Sequence, residues 1–524
     1  MIRKVFCLFF MYLFSLSSFA QGEELVLMKG DCMQSFVGEA PSLQGTRRAA
    51  LNPMTNWDAN KIYKQMVVLF SFSDVDFLET HSKEYYQQVF NEEGYIEREG
   101  KGCVADYFRE QSGGLVNFEF DIYGPVQVST KAQPYDAPNA NTRNYGKEPM
   151  MEALQRVLDE NPTVDFSQYD WNGDSIVEQV IFVYAGLPGN VSASSYGHIW
   201  PNTGTFSTIT TPDGFAIFNY TASGERYPTS PEVSCGIGTI CHEFCHSLGL
   251  PDIYPTGSSA IYSAVDEWDL MDGGNFTNLG WCPPNFSAME KMLLGWLTPV
   301  ELTEPTTITD MESVSNGGAV YQIKHTDTEY LLLENRQQDG WDKGNPGKGL
   351  LIYHVNYNPS SWNNNRVNAF AEEKDFLYQL VHADNMSYND WDNYLKTAGF
   401  SSAYAKSGRM NKLHLSTSPY PCDTNNEFTD TSVPSAEMQT KNADDLTLLS
   451  KAITNIQVSD DGLVSFDFMG GTTGINNLRV LDEDGVSCLY DLSGQRVYIP
   501  LPGRMYIAKR KDGTTYKYIH SYEQ

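Results

Sequence analysis

The stretch TICHEFCHSLGLPDIY, Thr239 to Tyr254, concentrates the side chains most able to do chemistry. His242 and His246 stand four positions apart, and Glu243 follows the first of them. On a helix, residues i and i+4 share a face, so two imidazoles at this spacing can grip one cation; zinc suits nitrogen ligands and brings no redox chemistry. Glu243 is then placed to face an activated water, to take its proton and to return it to a leaving amine. Gly249 lets the chain reverse after the helix, and Asp252, six residues beyond His246, can return as a third ligand. Three ligands leave a coordination position open, as a catalytic zinc site requires. The plain alternative for Asp252 is a turn cap, in which case Asp266 or Glu267 is the next acidic candidate for the third position.

Cys241 and Cys245 form a second pair at the same spacing on a neighbouring face. Structural zinc sites use four ligands, but a Cys-x-x-x-Cys and a His-x-x-x-His pair interleaved on one helical turn cannot converge on one tetrahedral ion. The cysteines are expected to pack beside the site or to form disulfides. A second cation is suggested by DFSQYDWNGDSIVEQV: Asp170, Asn172, Asp174 and Glu178 recur at alternating positions with the Ile176 carbonyl between them. Hard oxygen ligands around the Gly173 turn suit calcium, although the spacing is not that of an EF-hand. A polar turn before a strand is the alternative.

The elements that must position these groups are legible in outline. MVVLFSF from Met66 predicts a buried strand, CVADYFREQSG a helix ending at Gly113-Gly114, and LVNFEFDIYGPV an alternating strand. PMMEALQRVLDE predicts a helix whose core face holds Met151, Leu154, Val157 and Leu158, and EQVIFVYAG another buried strand. After GWLTP the runs YLLLENRQ, GLLIYHVN and FLYQLVHA are short and strand-like. The fold class is α+β. A mixed α/β unit over 61–300 precedes a mostly β unit over 301–469 and, after the MGGTTG linker, a small β module over 470–524.

Length and charge bound the rest. A chain of 524 residues holds two to four domains, and 36 Lys+Arg against 66 Asp+Glu leave a net charge of −30. Such a surface repels phosphate backbones and anionic lipid, so nucleic acid is not an expected partner. Residues 1–20, MIRKVFCLFFMYLFSLSSFA, read as a signal peptide: a basic start, an apolar run too short to span a bilayer and small residues at Ser18 and Ala20. Once it is removed no integral membrane segment remains, and the mature chain is expected to be secreted or at the cell surface. Residues 21–60 read as a leader or pro-segment with a processing point at Arg47-Arg48; Cys32 there is a lone candidate for an inhibitory thiolate. Loss of Cys7 with the signal leaves an even number of the nine cysteines, which permits disulfides without fixing their pairing.

HEFCHSLGLPDIY resembles the immune-inhibitor-A-like secreted metallopeptidases, zincins with aspartate as the third ligand. So do VVLFSFSDVDF, CVADYFREQSGGLVNFEFDIYGPV, WDLMDGGNFTNLGWCPPNFSAMEKMLLGWLTP and ENRQQDGWDKGNPGKGLLIYHVN, which together extend the likeness over about residues 61 to 470. The resemblance implies an extracellular zinc endopeptidase acting on proteins or peptides, with His242, His246 and Asp252 as ligands, Glu243 as general base, and Met271 in the turn beneath the metal. Cys245 departs from the small or apolar residue usual there, and would add redox sensitivity. LYDLSGQRVYIPLPGRMYIAKRKDGTTYKYIH is similar to the sorting domains of cargo for type IX secretion, although HSYEQ departs from the usual short basic finish. A non-catalytic extracellular binding protein or adhesin on a zincin scaffold is the competing reading, against which the intact Glu243 argues.

Overall fold

The computed structural model describes residues 56–132, 146–190, 199–228, 230–256, 263–370, 372–399, 408–423 and 425–471. In the tail it describes 486–490, 496–497, 505–510 and 514–519. The signal, most of the leader, Cys32 and Arg47-Arg48 lie outside the described residues.

The architecture is mixed α/β, with several helices and several sheets. The first sheet has the order β2-β1-β3-β5-β4. Its strands are β1 (Ile62–Ser71), β2 (Asn117–Gln127), β3 (Val180–Tyr184), β4 (Asn202–Thr210) and β5 (Ala216–Gly224). β1 pairs in parallel with β2 and β3, β3 in parallel with β5, and β4 closes the edge antiparallel to β5. Inner parallel strands are covered on both faces, which is why β3 reads VIFVY without polar alternation and is buried throughout.

The period of two sorts β1 between two cores. Val67 and Leu69 face the side that carries α1 (Lys83–Asn91), α2 (Val104–Gln111) and α4 (Gly238–Leu248). Met66, Val68 and Phe70 face α3 (Lys147–Glu160). The core stripe of α3 is Met150, Ala153, Leu154, Val157 and Leu158, with Met151 only partly buried, so the stripe begins one residue earlier than its pattern suggested. The apolar positions 150, 153, 154, 157 and 158 follow the i, i+3, i+4, i+7, i+8 series, and Met151 lies at its margin. Cys103 caps α2, its sulfur accepting from the Asp106 N–H while Asp106 reaches back to the Cys103 N–H.

Beyond residue 300 a second sheet carries β6 (Glu329–Arg336) between a strand at Tyr321–Lys324 and β7 (Gly349–Asn356). β6 is buried along its whole length. Tyr330 and Leu332 join the same core as the α4 side of the first sheet, whereas Leu331 and Leu333 pack toward a three-stranded sheet built from Thr306–Met311, Ile453–Val458 and Val464–Phe468. Side chains from both sides of residue 300 therefore share one core. The tail forms a four-stranded antiparallel sheet, Val486–Tyr490, Arg496–Val497, Met505–Arg510 and Thr515–Ile519. No helix among the described residues is long and apolar enough to cross a membrane.

Candidate metal centre

The helix α4 carries Thr239 to Leu248 and is buried along nearly all of its length. It lies on the first sheet through polar contacts as well as packing. Thr203 Oγ1, from edge strand β4, is 2.5 Å from the Glu243 carbonyl oxygen, and Ser247 Oγ donates to Gln179 Oε1 at 2.7 Å. Its first residue is a glycine for a steric reason: a Cβ on Gly238 would sit 2.0 Å from the Asn275 carbonyl oxygen. Gly249 ends it in the left-handed region, φ +106°, which a side chain would disfavour.

That reversal brings Asp252 under the two histidines. His242 Nε2 and His246 Nε2 each lie 3.3 Å from Asp252 Oδ1. Among the described residues these three are the one group whose potential ligand atoms all fall within 4.8 Å of each other. All are buried. The ring tautomers follow from the other nitrogens. His242 Nδ1 is 2.8 Å from the Leu270 carbonyl, and His246 Nδ1 is 2.8 Å from the Leu250 carbonyl. A carbonyl only accepts, so each Nδ1 of a neutral ring carries the proton and each Nε2 presents a lone pair. Two such nitrogens and a carboxylate oxygen face one another, and none of the three has a hydrogen-bond partner. Three converging lone-pair atoms without a donor fit a cation at their centre.

Met271 is fully buried, in the turn that supports this set. The residue before it supplies the carbonyl that orients His242, and its own carbonyl accepts from the Ile253 N–H at 2.9 Å. The Met271 N–H points to Asp269 Oδ1 at 2.8 Å and Glu290 Oε1 at 3.2 Å. Burial and the neighbouring Asp269 push the Glu290 carboxyl well up, and the Asp269 carboxyl is pushed up to about 6 by burial. Asp266 and Glu267 stand outside the cluster, on the short turn Asp266–Trp268.

Glu243 is buried, its Oε2 3.3 Å from Thr203 Oγ1. With His242 it opens onto a cleft lined by Trp200, Tyr254, Asn275 and Phe276. One face of the arrangement can thus hold a cation while the adjacent carboxylate reaches whatever enters the cleft.

Cys241 and Cys245 point away from this set into the core and are free thiols, as are Cys103, Cys235, Cys282 and Cys422 among the described residues. The disulfides that the cysteine count permits are not formed at these six positions. Burial pushes the Cys245 thiol well up, which disfavours the reactive thiolate, so the redox sensitivity expected of it has no support in its surroundings.

The 170–178 segment is a tight polar turn. Asp170 accepts from the Gly173, Asp174 and Ser175 N–H groups, Asn172 from Asp174, and Asp174 from Ile176. Glu178 accepts from the Trp171 N–H at 2.8 Å. The acidic side chains of the turn do not gather within 4.8 Å as the His242 group does. Burial, then the charges of Asp170 and Asp174, push the Glu178 carboxyl up to about 8.

Two residues at the centre carried no local signal. Asn365 and Asn368, more than a hundred positions downstream, hydrogen-bond Asp252 and Ile253. Nothing in HEFCHSLGLPDIY marks them, because their pairing is created only by the fold.

Residues 52–295 match the family model of the immune inhibitor A peptidase M6 catalytic domain. The chain is 26% identical over 245 residues to immune inhibitor A of Bacillus thuringiensis subsp. alesti, covering 41% of this chain and 35% of that protein. It is 22% identical over 337 residues to the pre-pro-metalloprotease PrtV of Vibrio cholerae serotype O1, covering 55% of this chain and 36% of that protein. The chain thus spans about a third of the length of these curated relatives. Residues 52–295 are thus similar to a peptidase M6 catalytic domain, and these similarities support a metallopeptidase.

Proposed function

We propose that the chain is a secreted zinc endopeptidase that hydrolyses extracellular proteins or peptides. His242 Nε2, His246 Nε2 and the Asp252 carboxylate hold the metal. The observation that carries this reading is the convergence of three buried acceptor atoms with no donor among them. Zinc, when bound, supplies Lewis acidity, which makes water a nucleophile at neutral pH and polarises a peptide carbonyl. Glu243 is not in the ligand set and lies one residue from His242, so its carboxylate takes the proton of the attacking water and passes it to the departing amine. The carbonyls of Leu270 and Leu250 keep both rings in the tautomer that donates its Nε2 lone pair. The Met271 turn holds Leu270 in place for this.

The basic-apolar start of the sequence supports export by a signal peptide over 1–20, followed by a leader. The four-stranded terminal sheet is compatible with a C-terminal sorting module read by type IX secretion machinery. Calcium in the 170–178 turn is supported by its oxygen-rich make-up and by the raised Glu178 carboxyl, which a nearby cation would relieve.

Caseinolysis by the purified protein, with phenanthroline and then with zinc restored, tests the activity. Glu243→Gln should lower turnover by about 10²–10⁴-fold, the usual worth of a general base, while zinc stays near one per chain. Undiminished proteolysis by Glu243→Gln would remove the assignment. Zinc binding by the wild type without hydrolysis of any denatured protein would favour a binding protein on the same scaffold.

A further inference from the structure

We infer that Asn365 is a positioning residue for the metal centre, a carboxamide that fixes the Asp252 carboxylate from a part of the chain outside the matched catalytic segment. The inference rests on the reading of Asp252 as a zinc ligand.

The geometry is a two-point clamp. Asn365 Nδ2 donates to Asp252 Oδ2 at 2.7 Å, and Asn365 Oδ1 accepts from the Asp252 backbone N–H at 2.6 Å. The carboxylate is thereby divided by function: Oδ2 is committed to the amide, and Oδ1 is left facing His242 Nε2 and His246 Nε2 at 3.3 Å each. Without a donor on Oδ2, the carboxylate would be free to turn about χ2, a broad two-fold torsion with little intrinsic preference. A ligand that must find its rotamer on each binding event binds more weakly than one held in place.

The clamp is itself anchored. Asn365 follows the short helix Pro359–Asn363 and lies in the left-handed region, φ +54°, a conformation that asparagine tolerates better than most side chains. Its N–H donates to the Trp362 carbonyl at 3.2 Å, and its carbonyl accepts from Thr256 Oγ1 at 3.0 Å. Three residues on, the fully buried Asn368 donates to the carbonyls of Ile253 and Tyr378 at 2.7 Å and accepts from the Leu377 N–H at 3.0 Å. The 365–368 segment therefore grips Asp252 and Ile253 together and ties them to the strand Tyr378–Leu380 of the second sheet. The family match ends at residue 295, so the orientation of the third ligand is supplied by chain that lies beyond it.

Asn365→Gly tests this cleanly, because glycine accepts the left-handed backbone and keeps both main-chain contacts while losing only the amide. Zinc affinity of the full-length protein is measured by competition with a chromophoric chelator, beside wild type and Asp252→Ala, and the cobalt-substituted forms are compared by visible absorption. Asn365→Gly is expected to bind zinc 10–100-fold more weakly, the usual effect of losing a group that orients a ligand. Its cobalt spectrum should be altered, and its loss of zinc affinity should exceed what the fall in metal-free melting temperature from two lost hydrogen bonds accounts for. A merely structural role would lower the metal-free melting temperature and leave the cobalt spectrum unchanged. Affinity within twofold of wild type and an identical spectrum, with Asp252→Ala metal-deficient, overturns the role of Asn365 alone. Wild-type affinity in Asp252→Ala overturns the ligand reading, and this inference with it.

Discussion

Arg336 offers the sharpest test of whether the β-rich part of the chain and the metal-bearing part stand or fall together. It is fully buried on β6. Its Nε and Nη2 donate to both oxygens of Asp342 at 2.7 and 2.6 Å, its Nη1 to Glu334 Oε1 at 2.8 Å, and its Nη2 also to the Asn285 carbonyl at 3.0 Å. The two carboxylates in turn accept from the Asn285 and Ala288 N–H groups and the Tyr353 hydroxyl. The same stretch, 285–290, carries the Glu290 that receives the Met271 N–H, so the network reaches the turn beneath His242. Arg336→Met fills similar volume but strands two buried carboxylates. Breaking a buried pair in this way costs about 3–5 kcal/mol. Lys291, whose own pKa is lowered by burial, remains near both carboxylates, so the lower end of that range applies. A loss of about 3 kcal/mol changes the ratio of folded to unfolded protein more than a hundredfold. Urea denaturation of the zinc-loaded protein, followed by tryptophan fluorescence and by loss of zinc, measures it. Both signals should move together to lower urea. The triple variant Arg336→Met, Glu334→Gln, Asp342→Asn removes the three charges of the cluster and leaves one carbonyl acceptor on each amide, and should recover more than half of the loss. A single variant within about 1 kcal/mol of wild type, or fluorescence and zinc transitions that separate, would refute the argument.

Two further outcomes follow from other parts of the molecule. The Glu178 carboxyl is an acid raised to about 8 in the folded chain, so the folded state holds its proton more tightly and stability falls as pH climbs from the ordinary carboxylate range toward 8. In EGTA, Glu178→Gln should abolish that decline; calcium at pH 8 should raise the wild-type melting temperature and leave Asp174→Ala unmoved, and identical melting curves with and without EGTA would remove calcium from the 170–178 turn. Gly238→Ala should lower stability by about 1–3 kcal/mol, an overpacking cost, because its Cβ would stand 2.0 Å from the Asn275 carbonyl oxygen; an unchanged melting temperature would show that the helix start and the Asn275 turn can separate freely.

What the sequence determined by itself is what short-range geometry determines. His242 and His246 share a face because they are one helical turn apart, and Gly249 predicts the reversal that brings Asp252 back. The uniformly apolar run of β3 and the alternation of β2 likewise carry their burial in their own pattern. The stripe of α3 was legible only to within one residue, since Met150 and Met151 are equally apolar and only packing against the sheet chooses between them. The fate of Cys241 and Cys245 was open for a related reason: a cysteine on a helix packs or pairs according to what lies opposite, and here the core lies opposite. The tertiary structure alone decided which oxygen of Asp252 faces the histidines, because the choice is made by an amide 113 positions away. It alone decided that Leu270 and Leu250 set the imidazole tautomers, since a carbonyl is common to every residue and carries no sequence signal. Contacts between neighbours on one helix are written in spacing; contacts closed across a hundred residues are written only in the packing of the sheets that bring the segments together.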